Sequence, residues 1–217
     1  MQTKTAVIIG ASGLIGSHLS PLLAAQYKDV ISLVRRKSNA PSATETVVDF
    51  TQPNFYPALK SPADCFCCIG TTIKIVGSKE AFRAVDFDLV NNFATQAKQA
   101  GTARFFVVSA LGANAQSAVF YNRVKGEMEA ALQALNFETC AIFRPSLLLG
   151  ARAQPRMGER IMELGFALAS PILSIGKLRN IKPIEASTVA RAMLHAAINP
   201  VRGVQILEPL QILSLAK

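Results

Sequence analysis

Apolar residues along this chain fall into two rhythms, short unbroken runs and stretches where they recur three or four apart. Ala6 to Ile9 form a first run, followed by Gly10-Ala11-Ser12-Gly13-Leu14-Ile15-Gly16 and then by Leu14, Ile15, Leu19, Leu22 and Leu23 at helical spacing. The pattern predicts a buried strand over 4–9 and a helix over 14–26. The same pairing returns down the chain. Strands are predicted at 29–35, 46–49, 64–69, 104–109 and 138–144, with helices at 86–100 and 119–135. Two further helices near 156–169 and 186–199, a strand at 204–207 and a helical tail complete the pattern. Strands alternating with helices of this length make right-handed βαβ units, so the expected fold class is α/β, a doubly wound parallel sheet covered on both faces.

With 217 residues, 50% hydrophobic and 17% charged, the chain is long enough for one well-buried core and too short for two enzyme domains. One domain over 1–217 is expected, with substrate-side elements mainly within 145–185. The stretch from Ile161 to Ile175 is interrupted by Glu163, Gly165 and Pro171 and is too short to cross a bilayer, so no membrane partner is expected. Residues after Met1-Gln2-Thr3-Lys4 serve the glycine turn rather than a signal peptide, which predicts a cytoplasmic protein. The cysteines Cys65, Cys67 and Cys68 crowd one apolar run, with Cys140 apart. They lack the paired C-x-x-C spacing of a zinc site, and His18 and His195 are remote. No metal is expected, and the thiols read as small buried hydrophobes in a reducing compartment.

A net charge of +9 raises nucleic acid, a membrane surface or an anionic ligand as partner. Basic residues are scattered, apart from Arg35-Arg36-Lys37 and a denser zone from Arg144 to Lys182, and no aromatics interleave with them. That distribution favours a small, anionic substrate over nucleic acid. A homodimer stays open.

Glycines at 10, 13 and 16, placed between a buried strand and a helix, let the backbone turn tightly and approach a pyrophosphate. The helix N-terminus adds free N–H groups and a positive dipole end. The spacing is G-x-x-G-x-x-G rather than G-x-G-x-x-G, and a plain strand-to-helix turn is the alternative. At the end of the second strand, where an acidic residue would bind the ribose hydroxyls of NAD, stand Arg35 and Arg36. Two guanidiniums suit a phosphate monoester, so NADP(H) is expected ahead of NAD(H). Asp49 has two uses open to it, accepting from the adenine amino group or capping a turn with Thr51.

Tyr121-Asn122-Arg123-Val124-Lys125 places a phenol and an ammonium at i and i+4, on one face of a helix. A nearby cation favours the phenolate and is expected to lower the tyrosine pKa from about 10. Tyr121 then suits proton transfer to or from a carbonyl oxygen, with Ser109 at the end of the fifth strand donating to the same oxygen.

These motifs resemble the short-chain dehydrogenases/reductases, of the atypical, extended-like kind. The resemblance rests on residues 10–16, Val107-Val108-Ser109, Tyr121 with Lys125, and Phe143-Arg144-Pro145-Ser146. Cys68-Ile69-Gly70-Thr71-Thr72, Phe82-Arg83-Ala84-Val85-Asp86 and Val124-Lys125-Gly126-Glu127-Met128-Glu129 are most similar to the Tat-interacting-protein subgroup. The resemblance implies a Rossmann-like sheet of seven strands and a catalytic set of Ser109, Tyr121 and Lys125. It also implies cofactor contacts from Gly10, Ser12, Gly13, Leu14, Ile15, Gly16, Arg35, Arg36, Asp49, Gly70, Thr71, Lys125, Phe143 and Pro145. Two residues depart from the family pattern: Asp86 stands where an asparagine completes a proton relay, and Ser146 replaces a glycine. The resemblance implies an oxidoreductase moving a hydride to or from a small carbonyl or alcohol, or a redox-sensing protein that binds the cofactor without turnover.

Overall fold

The computed structural model describes residues 4–37, 42–58, 63–149 and 183–217. The expected helix near 156–169 and most of the basic zone lie outside these residues.

Seven parallel strands form one sheet in the order β3-β2-β1-β4-β5-β6-β9. They are β1 (Thr5–Ile9), β2 (Asp29–Val34), β3 (Thr44–Val47), β4 (Asp64–Cys67), β5 (Arg104–Val108), β6 (Thr139–Phe143) and β9 (Gly203–Leu207). A separate two-stranded pair joins β7 (Leu148–Leu149) to β8 (Ile184–Glu185). Strand order reverses beside β1, between β2 and β4, which opens a crevice at the carboxyl ends of the strands. This is the doubly wound, Rossmann-like sheet expected.

Alternate strand residues feed two cores. Ala6, Ile8, Phe66, Phe106, Ala141 and Phe143 pack with helix α1 (Gly16–Ala24), α6 (Ala186–Ile198) and α7 (Pro209–Leu215). Val7, Ile9, Cys65, Cys67, Phe105, Val107, Cys140 and Ile142 pack on the other face with α4 (Val90–Gln99) and α5 (Phe120–Ala134). Cys65, Cys67 and Cys140 are thus buried, as expected of small hydrophobes, and burial pushes each thiol up to about 12.

The helix expected at 86–100 begins earlier and is not uniform. α2 (Ile73–Val76) and α3 (Lys79–Arg83) precede it, and α3 passes through a π-helical segment, Ala84–Leu89, into α4. Ser78 caps α3 by accepting from the Ala81 amide at 3.0 Å. The wider π turn carries Asp86, which is fully buried.

At the amino ends of the strands, Asp64 receives the Tyr27 hydroxyl at 2.6 Å and the guanidinium of Arg104. This cluster pins β4 to β5 at the end of the sheet opposite the crevice.

Candidate active site

The first strand hands over to its helix through backbone contacts that exclude side chains. Gly10 has φ +80°, and a Cβ there would stand 2.7 Å from the carbonyl carbon and oxygen of Cys68. At Gly16 it would stand 2.1 Å from the Gly10 carbonyl oxygen. The helix is thus seated directly on the turn. Gly13 donates to Gly10 at 2.9 Å and accepts from Ser17 at 3.0 Å. Leu14 and Ile15 bury their side chains in the core, so their contribution to a ligand is their backbone. Among the described residues no acceptor answers the amides of Ser12, Leu14 and Ile15. Unanswered amides at a helix N-terminus make an anion cradle, and these residues fit a dinucleotide pyrophosphate.

Register sets the neighbouring loops around that cradle. Ile9 pairs with Leu33 and with Cys67, so Arg35 and Arg36 flank the turn on one side and residues 68–71 on the other. Both arginines are exposed, and among the described residues neither meets a carboxylate. Asp49 is also exposed, but its carboxylate is engaged. It accepts from the Thr51 amide at 3.0 Å, the Thr51 hydroxyl at 2.7 Å and Gln52 at 3.2 Å. Hydrogen bonds from Thr51 hold it below the usual carboxylate range, so of its two expected uses the turn cap is the one seen. On the other side, Gly70 stands against Asp86, and the Thr71 amide donates to Asp86 at 3.0 Å.

Tyr121, Lys125 and Glu129 follow one another on successive turns of α5, and each inward side chain meets a different element. The Tyr121 ring lies 5.2 Å from that of Phe82 on α3. Lys125, 2% exposed, places its ammonium 2.7 Å from Asp86 of the π turn. Charge faces charge there, off the line of a directed hydrogen bond. Burial, the largest influence, lowers the Lys125 pKa, but Asp86, Tyr121 and Cys67 together outweigh it and hold the ammonium above the ordinary lysine value.

The expected lowering of the Tyr121 pKa by Lys125 is corrected, and burial is the leading cause. Desolvation raises the phenol's pKa, Lys125 lowers it, and Asp86 raises it again, so the net shift is upward. Sequence spacing showed the cation but not the anion that neutralises it.

Ser109 differs from expectation in a similar way. Its hydroxyl donates to Glu129 at 2.5 Å, rather than standing free to donate to a ligand. Arg144 grips the same carboxylate twice, Nε at 2.9 Å and Nη2 at 2.5 Å, and Glu129 is 2% exposed. Phe143 is fully buried in the core, so its expected cofactor contact has no exposed ring behind it. Pro145 is buried, and its carbonyl accepts from Leu111 at 3.0 Å. His18 and His195 are exposed helix residues away from these contacts.

Glu129 was missed as a site residue, although one more step of four from Tyr121 and Lys125 reaches it. The two motif stretches, 82–86 and 124–129, interlock: Arg83 pairs with Glu127 and Asp86 with Lys125, while the Phe82 ring lies tilted beside that of Tyr121.

An NAD(P)H-binding family profile matches residues 10–146. Protein HTATIP2 of Rattus norvegicus is 34% identical over 226 aligned residues, covering all of this chain and 91% of the rat protein. Protein FMP52, mitochondrial, of Eremothecium gossypii is 31% identical, covering 98% of this chain and 97% of its own length. Among solved structures, human epimerase family protein SDR39U1 with NADPH superposes with a TM-score of 0.64 at 18% identity, over 94% of this chain and 73% of that one. That likeness speaks for the fold. The expectation of a cytoplasmic protein is overturned, because several fungal relatives are named as mitochondrial. Profile, relatives and cradle agree: the chain belongs to the NAD(P)H-binding family, with HTATIP2 of Rattus norvegicus among its relatives.

Proposed function

We propose that this protein is an NADP(H)-dependent reductase of small carbonyl compounds, with Tyr121 as proton donor. The observation that carries the reading is the state of Tyr121. Its pKa is raised by burial against the lowering effect of Lys125, so it stands protonated at neutral pH, the form required of a donor to an alkoxide far more basic than a phenolate. Among the described residues its hydroxyl has no protein partner, which leaves it for a ligand.

When bound, the nicotinamide supplies a hydride to the carbonyl carbon and is itself oxidised. Tyr121 delivers its proton to the carbonyl oxygen, giving an alcohol, and regains one from solvent. Lys125 fixes the rim of the pocket through Asp86 and the Thr71 amide. The amides of Ser12, Leu14 and Ile15 would hold the pyrophosphate, and Arg35 and Arg36 would supply cations for the 2′-phosphate of NADPH. The mitochondrial names of the fungal relatives make mitochondria the compartment in which to look for the substrate.

Tyr121→Phe removes the transferable proton and keeps the ring. Turnover of NADPH across a carbonyl panel should fall about 100- to 10,000-fold, with NADPH affinity by fluorescence titration nearly unchanged. Stoichiometric cofactor binding with no turnover of any carbonyl by the wild type would instead mark a cofactor-sensing protein.

A further inference from the structure

We propose that β9 pairs with β9 of a second copy of this chain, antiparallel about a two-fold axis at Gln205, joining two seven-stranded sheets into one. The inference concerns the edge of the sheet and does not depend on the reductase reading.

β9 is the outermost strand beyond β6. Gly203 donates to Glu138 at 2.8 Å, and Leu207 accepts from Arg144 at 2.8 Å. Backbone groups alternate in direction along a strand, so Gly203, Gln205 and Leu207 face β6 while the amides and carbonyls of Val204 and Ile206 point outward. Among the described residues none of these outward groups has a backbone partner. The Val204 and Ile206 side chains lie on the α5 face of the sheet, in register with Cys140 and Ile142, and are 45% and 36% exposed.

An open strand edge invites pairing, and native proteins defend such edges with charge, proline or short length. The opposite edge is defended in this way: β3 is four residues long, Thr44-Glu45-Thr46-Val47, with a carboxylate in it. On β9 the sequence Val204-Gln205-Ile206 carries neither charge nor proline.

One register satisfies every outward group. With Val204 opposite Ile206 of the second copy, the amides and carbonyls of both residues are bonded on both copies, and Gln205 meets its own counterpart as a non-hydrogen-bonded pair. Setting Val204 or Ile206 opposite itself would carry the pairing past the strand ends. Gly203 turns away there at φ +88°, and the Glu208 amide already donates to Gln211 at 2.8 Å. The charges agree with the same register. Continued by one step at each end, it sets Arg202 against Glu208 of the second copy, twice by symmetry, and both residues are exposed. Arg202 also meets Glu138 of its own chain at 2.9 Å, so the contact would extend an ion pair already present. Apolar and opposite-charge pairs across an antiparallel ladder are favourable.

The test is sedimentation of the full chain over a concentration series, in which the wild type should form a dimer. Ile206→Pro removes an outward amide and no bond to β6, so far-UV circular dichroism should be unchanged while half of the cross-strand bonds are lost. The dimer Kd should rise about tenfold or more. Val204→Lys puts a charge at a position already exposed and should weaken the dimer likewise, which keeps the test open if the proline disturbs the fold. Gln205→Cys reads the register itself. Non-hydrogen-bonded partners have Cα atoms about 4.5 Å apart, within disulfide range. Diamide, taking up the two electrons and two protons of the thiol pair, should therefore give a covalent dimer of Gln205→Cys on a non-reducing gel. Val204→Cys and the wild type should give none. A monomer at every concentration, a dimer whose Kd neither edge variant moves, or cross-linking at 204 as readily as at 205 would overturn the proposal.

Discussion

Asp86 works against the cation that draws the eye beside the tyrosine in the sequence, adding to the upward pull of burial on the phenol. Its carboxylate neutralises Lys125 and faces the loop that carries Thr71. Asp86→Asn removes the charge that raises the Tyr121 pKa and leaves Lys125 uncompensated, so the phenol's pKa should fall. A proton donor works only while protonated, so the rate should decline as pH rises through that pKa. The alkaline limb of the kcat/KM profile should therefore move to lower pH in Asp86→Asn, with the same displacement in a spectrophotometric titration of the phenol. An unmoved limb would show that Asp86 is merely structural. At the rim, replacing Arg35 and Arg36 with alanine should weaken NADPH binding about tenfold or more and leave NADH nearly unaffected, since charge-assisted bonds to the extra phosphate contribute roughly 1.5–3 kcal/mol each before screening. Equal losses for both cofactors would count against their role.

Helix α5 works as a spine, with a close-packed back and a charged front. Gly126 lies where an added Cβ would stand 2.1 Å from the Ala115 amide nitrogen and 2.2 Å from the Asn114 carbonyl carbon. Alanine is the better helix former, yet Gly126→Ala should destabilise the protein by about 1–3 kcal/mol, because the 114–115 backbone has to move. Urea unfolding would show this as a lower midpoint, and a neutral or raised one would mean that the loop yields freely. Much of this element was legible in advance. Its span is within a residue of that expected at 119–135, and the i, i+4 spacing correctly placed Tyr121 and Lys125 on one face. What could not be read was the element opposite. A π turn leaves no periodic signature, the cap at Ser78 was overlooked, and Asp86 meets Lys125 only through the tertiary fold. The glycine turn was readable because backbone needs dictate glycine locally. The sign of the Tyr121 shift and the bond of Ser109 to Glu129 were not, because each depends on a partner brought in from another part of the chain.

Across the whole molecule, several buried groups hold their protons more tightly than they would in an unfolded chain. The thiols of Cys65, Cys67 and Cys140 stand near 12, and burial also raises Tyr27 and Tyr56. As pH climbs past the ordinary thiol value of 9.0, the unfolded chain gives up protons that the folded chain keeps. Stability should therefore be steady near neutrality and fall between about pH 9 and 12, measured as a drop in the urea midpoint. A midpoint that rises over this range would contradict the assignment. The same three thiols lie in the middle of the sheet, on β4 and β6, and are reached by a bulky reagent only when the sheet opens. The protein thus carries a built-in clock for its own unfolding, with no label introduced. A ligand that binds only the folded form slows that clock by mass action, roughly a hundredfold at a hundred times its Kd. Thiol-labelling rates would therefore rank NADPH, NADH and candidate substrates by affinity, even for a ligand that the protein never turns over.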